Sequence, residues 1–260
     1  MKKVLSALIL VSVFSLCARE RLIYVARHCQ AGGKSSKVIM PVPGDAGISQ
    51  LGIEQSKALG RRLKALGFKG KIYASPYFRT VATACYAAAE CGAKVYPDAR
   101  VQERVHADGG NMKMGGATLK RLRELFPEQI ADDAKLDDAW LYKKEEKKNT
   151  QAHQKRMAKS LDLLLAENPD SDIMIVSHAG AVAALSREMQ SRSKHKFYGP
   201  TWNCALFRYS VDNNGKFHVK AYDISFLPEN MITNNFRRLS PEEKSGTKKI
   251  QSGIDHKYNL

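Results

Sequence analysis

The residues with the most chemistry per position stand together near the start of the chain. Arg27-His28-Cys29-Gln30-Ala31-Gly32-Gly33-Lys34-Ser35 follows the apolar run Leu22-Ile23-Tyr24-Val25. That run is β-prone and ends at Arg27, so the arginine, imidazole and thiol are expected just past a strand, with a basic glycine loop after them. In α/β folds ligands bind beyond the carboxyl ends of strands, and cations beside a glycine-rich backbone suit a phosphate.

Three phosphate chemistries fit these residues to different degrees. A P-loop would take Gly33-Lys34-Ser35 as the second half of Gly-x4-Gly-Lys-[Ser/Thr], but its first glycine falls on His28. Val38-Ile39-Met40-Pro41-Val42-Pro43-Gly44 also cannot propagate the helix that must follow, so the P-loop is excluded. A cysteine-dependent phosphatase loop resembles His-Cys-x-Ala-Gly-x-x-Arg. His28 to Lys34 matches it, while Ser35 stands where the arginine clamp belongs and Lys34, one position early, offers no planar fork. A phosphohistidine chemistry would have Arg27 hold phosphate while His28 attacks it. It requires a second arginine, a second histidine and an acid, each just past a strand.

Those parts are present. Arg79 follows the short strand Lys71-Ile72-Tyr73-Ala74 and opens an alanine-rich helix expected from Tyr77 to Cys91, where free N–H groups favour an anion. His178 ends Asp172-Ile173-Met174-Ile175-Val176-Ser177, the clearest buried strand of the chain. Glu103 lies in a polar loop after Lys94-Val95-Tyr96, with Asp98 and Glu90 as the neighbouring carboxylates in sequence. The chain thus resembles the histidine phosphatase superfamily, which includes the cofactor-dependent phosphoglycerate mutases. Arg27-His28-Cys29 is similar to its Arg-His-Gly motif, and Ile48-Ser49-Gln50-Leu51-Gly52-Ile53-Glu54-Gln55 to its Leu-Thr-x-x-Gly-x-x-Gln helix start. Ser75-Pro76-Tyr77-Phe78-Arg79-Thr80-Val81-Ala82-Thr83-Ala84 resembles its Ser-Pro-x-x-Arg-x-x-x-Thr-Ala segment, and Ser177-His178-Ala179-Gly180 its second histidine motif. The resemblance spans residues 22–223.

The resemblance implies a two-step phosphoryl transfer in which His28 becomes phosphorylated while Arg27, Arg79 and His178 hold the equatorial oxygens. Glu103 would protonate the leaving alcohol and then help activate water. Lys34 is a further candidate phosphate contact. No metal or cofactor is implied, and the expected partner is a small-molecule phosphate monoester. Two departures stand out: Cys29 replaces the family glycine, and Ala179 follows His178 where the phytase branch has aspartate. The second places the chain in the mutase-like branch and the acid on Glu103. Two alternatives stay open: a non-catalytic phospholigand-binding module of the same fold, and a cysteine-dependent phosphatase using Cys29.

The elements that must position these residues alternate strand and helix. A helix capped by Ser49 runs to about Leu66, another follows Tyr77, a third covers about 151–167, and a fourth starts after His178. Ala205 to Tyr222 forms a hairpin about Asn213-Asn214-Gly215. The expected fold is α/β, a three-layer α/β/α domain with a largely parallel central sheet over residues 19–239. Residues 104–150 are expected as an inserted cap, Lys143-Lys144-Glu145-Glu146-Lys147-Lys148 within them as a solvated helical face, and 240–260 as a loose polar tail. His106 and Asp108 are cap residues that could face substrate, and Trp202-Asn203 reads as packing.

Residues 1–18 read as a signal peptide: Lys2-Lys3, then an apolar stretch to Leu16, then Ala18. A periplasmic or secreted location follows, with membrane attachment only if Cys17 is lipidated. Of the four cysteines after that segment, Cys85 and Cys91 share one expected helix on different faces and are not expected to bridge. The formal net charge of +16 favours anionic ligands, but the lysines are spread and no aromatic-basic nucleic-acid motif accompanies them. No specific nucleic-acid partner is expected, and oligomeric state is not legible.

Overall fold

The structure is a computed structural model that describes residues 20–32, 38–39, 42, 45–104, 117–136, 146, 149–195, 199–234 and 237–238. Its centre is a six-stranded sheet in which β1 (Arg21–Arg27) lies between β6 (Ile173–Ser177) and β7 (Leu206–Val211). Beyond β6 come β4 (Lys71–Ala74) and β5 (Val95–Pro97), and beyond β7 comes β8 (Phe217–Asp223). The four strands β5, β4, β6 and β1 run parallel, while the β7–β8 hairpin joins β1 antiparallel. The expected mixed α/β architecture with a largely parallel sheet is therefore observed. Two short ladders accompany it: β2 (Val38–Ile39) with β3 (Ile48–Ser49), and β9 (Thr233–Asn234) with β10 (Arg237–Arg238).

Helices flank the sheet because parallel strands need covering on both faces. α1 (Gln50–Ala65) packs on α2 (Phe78–Cys91), and α4 (Thr150–Ala166) packs on α5 (Ala179–Ser191). The direction of travel along the sheet accounts for that pairing. The connections through α1 and α2 step one way along the sheet, and those through α4 and α5 step back. The continuous apolar strands Ile72–Ala74 and Ile173–Val176 are buried throughout, with Leu59, Leu63, Leu161, Leu164 and Leu185 closing the core. Among the described residues no helix is long and apolar enough to cross a membrane.

Registry puts the chemistry at one end of the sheet. Arg27 pairs with Ser177 and Ala74 with Val176, so the residues that next leave the three strands, His28, Ser75 and His178, emerge side by side. The backbone confirms the adjacency, with His28 N–H donating to Ser177 O at 2.8 Å and Ser75 N–H to Val176 O at 3.1 Å.

Part of the expected cap does something else as well. α3 (Leu119–Leu125) and the turn after it carry Ile130 to the free edge of β5. There Val95 N–H donates to Gln129 O and Ala131 N–H to Val95 O. Phe126 stacks on Phe78 and meets Tyr86 edge-on, so residues 117–136 seal the sheet edge and α2. Residues 105–116, including His106 and Asp108, and residues 137–145 lie outside the described residues, as do 1–19, Lys34 and 239–260. The expectation of a solvated face at 143–148 is corrected at Glu146, which is 1% exposed and paired with Arg156. A helix-forming charge run has no pattern to reveal that one of its acids meets a distant arginine.

Gly52 shows how tightly the first loop is clasped. A Cβ there would stand 2.4 Å from Gln30 O and 2.9 Å from Cys29 Sγ, so α1 approaches the loop as only glycine allows. Gly52→Ala is expected to destabilise the fold by about 1–3 kcal/mol and to shift the His28 loop. Urea denaturation checks this, and an unchanged midpoint would contradict the close approach.

Candidate active site

His28 begins the loop at the end of β1, and its ring orientation follows from one contact. Nδ1 lies 2.7 Å from the Cys29 carbonyl, which can only accept, so Nδ1 carries the proton and Nε2 the lone pair. Burial, then Arg79, then Arg27, pushes the pKa of His28 well below the ordinary histidine range. The imidazole is neutral near pH 7 and has a basic nitrogen to offer.

His178 stands beside it, ring centroids 5.3 Å apart and planes at 64°. Arg79 donates from Nη2 to His178 Nδ1 at 3.1 Å, and the opposite nitrogen, Nε2, donates to Ser75 Oγ at 2.9 Å. A guanidinium only donates, so His178 is the Nε2–H tautomer. Burial, Arg79, His28 and Arg27 lower its pKa well below normal. Tyr77 walls this group, edge-on to His178 at 5.1 Å and beneath the Arg79 guanidinium at 4.8 Å.

The two arginines are buried and differently held. Arg27 donates from Nη1 to Thr201 O and to Asn234 Oδ1, both at 2.8 Å. Burial and Arg79 bring its pKa down to about 10, so it stays charged. Arg79 pairs with Asp45 at 3.3 Å, where Asp45 also accepts the Phe78 N–H at the start of α2. Burial lowers the Arg79 pKa and raises that of Asp45, and their attraction opposes both shifts.

Glu103 reaches the same place from β5, through a 3-10 turn at Ala99–Val101. Its carboxylate accepts from Gly180 N–H at 2.9 Å and from Arg104 N–H at 2.8 Å, at the positive end of α5. A Cβ at Gly180 would meet Glu103 Oε1 at 2.5 Å, so a larger residue there would push the carboxylate from this position. Its charge is felt by both Arg27 and Arg79. The other nearby carboxylates are engaged elsewhere: Asp98 with Arg100 and Glu90 with Arg61. The structure thus gathers Arg27, His28, Arg79, Glu103 and His178. Lys34 lies outside the described residues.

Sequence reasoning missed several supports. Asp45 is one: an isolated aspartate in a glycine-containing loop carries no periodic signal. Asn203, expected to pack, is fully buried but works as a polar tie. Its Nδ2 donates to His28 O at 2.9 Å and Cys29 O at 3.0 Å, while its Oδ1 accepts from Thr233 Oγ1. Cys204 follows it at φ 58° and donates its N–H to Arg27 O, so a strained residue anchors the end of β1. The family-like spacings are scaffolding as well. Ser49 caps α1 at Gly52 N–H and donates to Gln30 Oε1, Gln55 accepts from Gln30 N–H, and Thr83 accepts from Cys29 N–H while donating to Arg79 O. Cys29 itself is fully buried against Gly52, and burial raises its pKa. Among the described residues no group of three or more His, Cys, Asp or Glu is arranged to hold a metal ion.

The model of the histidine phosphatase superfamily (branch 1) matches residues 23–224, and the chain belongs to that superfamily. The fold is shared with YhfR from Bacillus stearothermophilus at TM-score 0.54 and 21% identity, over 79% of this chain and 98% of that one. The ecdysone phosphate phosphatase of Bombix mori, solved with tungstate, aligns at TM-score 0.55 and 14% identity, over 85% and 96%. A mycobacterial glucosyl-3-phosphoglycerate phosphatase, solved with VO3, aligns at 0.52 and 19%, over 79% and 100%. A search of curated proteins finds no match.

Because His28 and His178 are neutral when folded and protonate near pH 6.5 when unfolded, the unfolded chain binds more protons below that value. Stability is therefore full above the unfolded pKa and falls as pH drops through it, by up to about 1.4 kcal/mol per pH unit for each histidine. Urea unfolding across this window should show that slope, and His28→Asn should reduce it. Equal slopes in the two proteins would contradict the buried neutral imidazole.

Proposed function

We propose that this protein is a metal-independent phosphatase that hydrolyses small phosphate monoesters through a phosphohistidine on His28. The observation that carries this reading is the tautomer. Nδ1 spends its proton on the Cys29 carbonyl and leaves the Nε2 lone pair beside two buried guanidiniums. Nε2 attacks phosphorus, the P–O ester bond breaks, and Glu103 passes to the departing alkoxide the proton that the phosphate monoester monoanion brings in. Water then attacks the phosphohistidine, Glu103 takes a proton from it, the P–N bond breaks, and inorganic phosphate leaves with His28 restored. Arg27 and Arg79 hold the phosphoryl oxygens, fixed charge supplied before the reaction begins, and His178 joins them by turning its Nε2–H from Ser75 Oγ to a phosphoryl oxygen. Lys34 is a further candidate contact from the same loop.

Geometry disfavours the thiol as nucleophile. A buried cysteine with a raised pKa is a thiol rather than a thiolate, and Cys29 Sγ faces α1. Export is part of the proposal and rests on the sequence of residues 1–18, with lipidation at Cys17 as its variant; periplasmic or secreted protein lacking those residues would support it.

Turnover of p-nitrophenyl phosphate in EDTA tests the mechanism. His28→Ala should lower the rate by about a thousandfold or more, while Cys29→Ser should change it by less than about tenfold. The reverse pattern would move the nucleophile to the thiol, and phosphate binding without turnover by the wild type would make this a binding module.

A further inference from the structure

Arg156, on the second turn of α4, is where the acid loop is fixed. Its Nε and Nη2 grip Glu146 at 2.6 and 3.0 Å, a planar fork on a carboxylate, with side-chain exposures of 10% and 1%. The remaining donor capacity goes to backbone. Nη1 donates to Arg100 O at 2.8 Å and Gln102 O at 3.1 Å, and Nη2 to Gln102 O at 3.1 Å and Glu103 O at 3.2 Å. Ser160, one turn on, donates to Arg100 O at 3.0 Å, and Ser177, which precedes His178, donates to Val101 O at 2.5 Å. Four consecutive carbonyls, from Arg100 to Glu103, are thereby held from α4 and β6.

We infer that the buried Arg156–Glu146 pair is a positioning device for Glu103, holding the acid's backbone while Gly180 N–H holds its carboxylate. This rests on the reading of Glu103 as general acid. Without its carboxylate partner the guanidinium would be a buried, uncompensated charge. Without the guanidinium the Gln102 and Glu103 carbonyls lose their donors, and the acid loses its fixed distance to the leaving oxygen. A small misplacement of a proton donor is felt in the chemical step more than in binding. The pair also ties the stretch expected as a cap to the acid, because Glu146 lies within that stretch.

The leaving group separates positioning from mere support. Nitrophenolate departs without a proton, whereas an alkoxide needs one. Glu103→Gln should lower kcat/KM, which reports transfer to His28 and departure of the leaving group, by about a hundredfold or more for ethyl phosphate, and by less than about tenfold for p-nitrophenyl phosphate, whose kcat also falls because water activation is slowed. Arg156→Ala and Glu146→Gln should show the same skew, about tenfold or more on ethyl phosphate, with KM little changed. Arg156→Lys, which keeps the charge but not the fork, should recover part of the loss and stands in if the alanine variant does not fold. Equal losses on both substrates in the Arg156 and Glu146 variants, beside a skew in Glu103→Gln, would overturn the inference alone. No skew in Glu103→Gln would remove the acid assignment and the inference with it.

Discussion

Two guanidiniums and two imidazoles are buried together at one end of one sheet, and most of the surrounding structure manages that concentration of positive charge. Each imidazole, in the company of Arg27 and Arg79, is most cheaply kept neutral, which is the state a nucleophile needs. Arg79 has a buried counter-ion in Asp45, whereas Arg27 is held by oxygens of Thr201 and Asn234. A phosphoryl group would add negative charge beside both guanidiniums. The guanidiniums that, after burial, depress the histidine pKa values also favour an anion.

Positioning is achieved by backbone more than by side-chain pairs. The loop after β1 is tied at His28 O and Cys29 O by Asn203, at Cys29 N by Thr83 and at Gln30 N by Gln55. These ties come from α1, α2 and the segment after α5, so the His28 loop is fixed by three separate parts of the chain. Cys29 fits this plan as a small apolar side chain pressed on α1. It stands where the resembled motif has glycine, with its sulfur against Gly52.

Much of this was legible from sequence because strand ends and helix starts have local signatures. An apolar run that stops at Arg27-His28 or Ser177-His178, or a Ser-Pro break before Arg79, places a residue without knowing the fold. Parallel register then brings those residues together, and the alternation of strand and helix announces that register. Asp45, Asn203 and Glu146 were not legible, or were misread. Each is a lone polar residue whose partner is distant in sequence, and nothing in composition or periodicity separates it from a solvated neighbour. Glu146 sits in a run of lysines and glutamates that has every local mark of a wet helix. Its burial is decided by an arginine ten residues on that happens to face the acid loop.

The ring nitrogen that carries the phosphoryl group tests the account most directly. Protein quenched in alkali during turnover, digested and analysed by phosphorus NMR and fragmentation mass spectrometry would report both residue and atom. The tautomer held by the Cys29 carbonyl requires phosphate on Nε2 of His28. Phosphate on Nδ1 of that ring, on Cys29 Sγ, or on any other residue would contradict it.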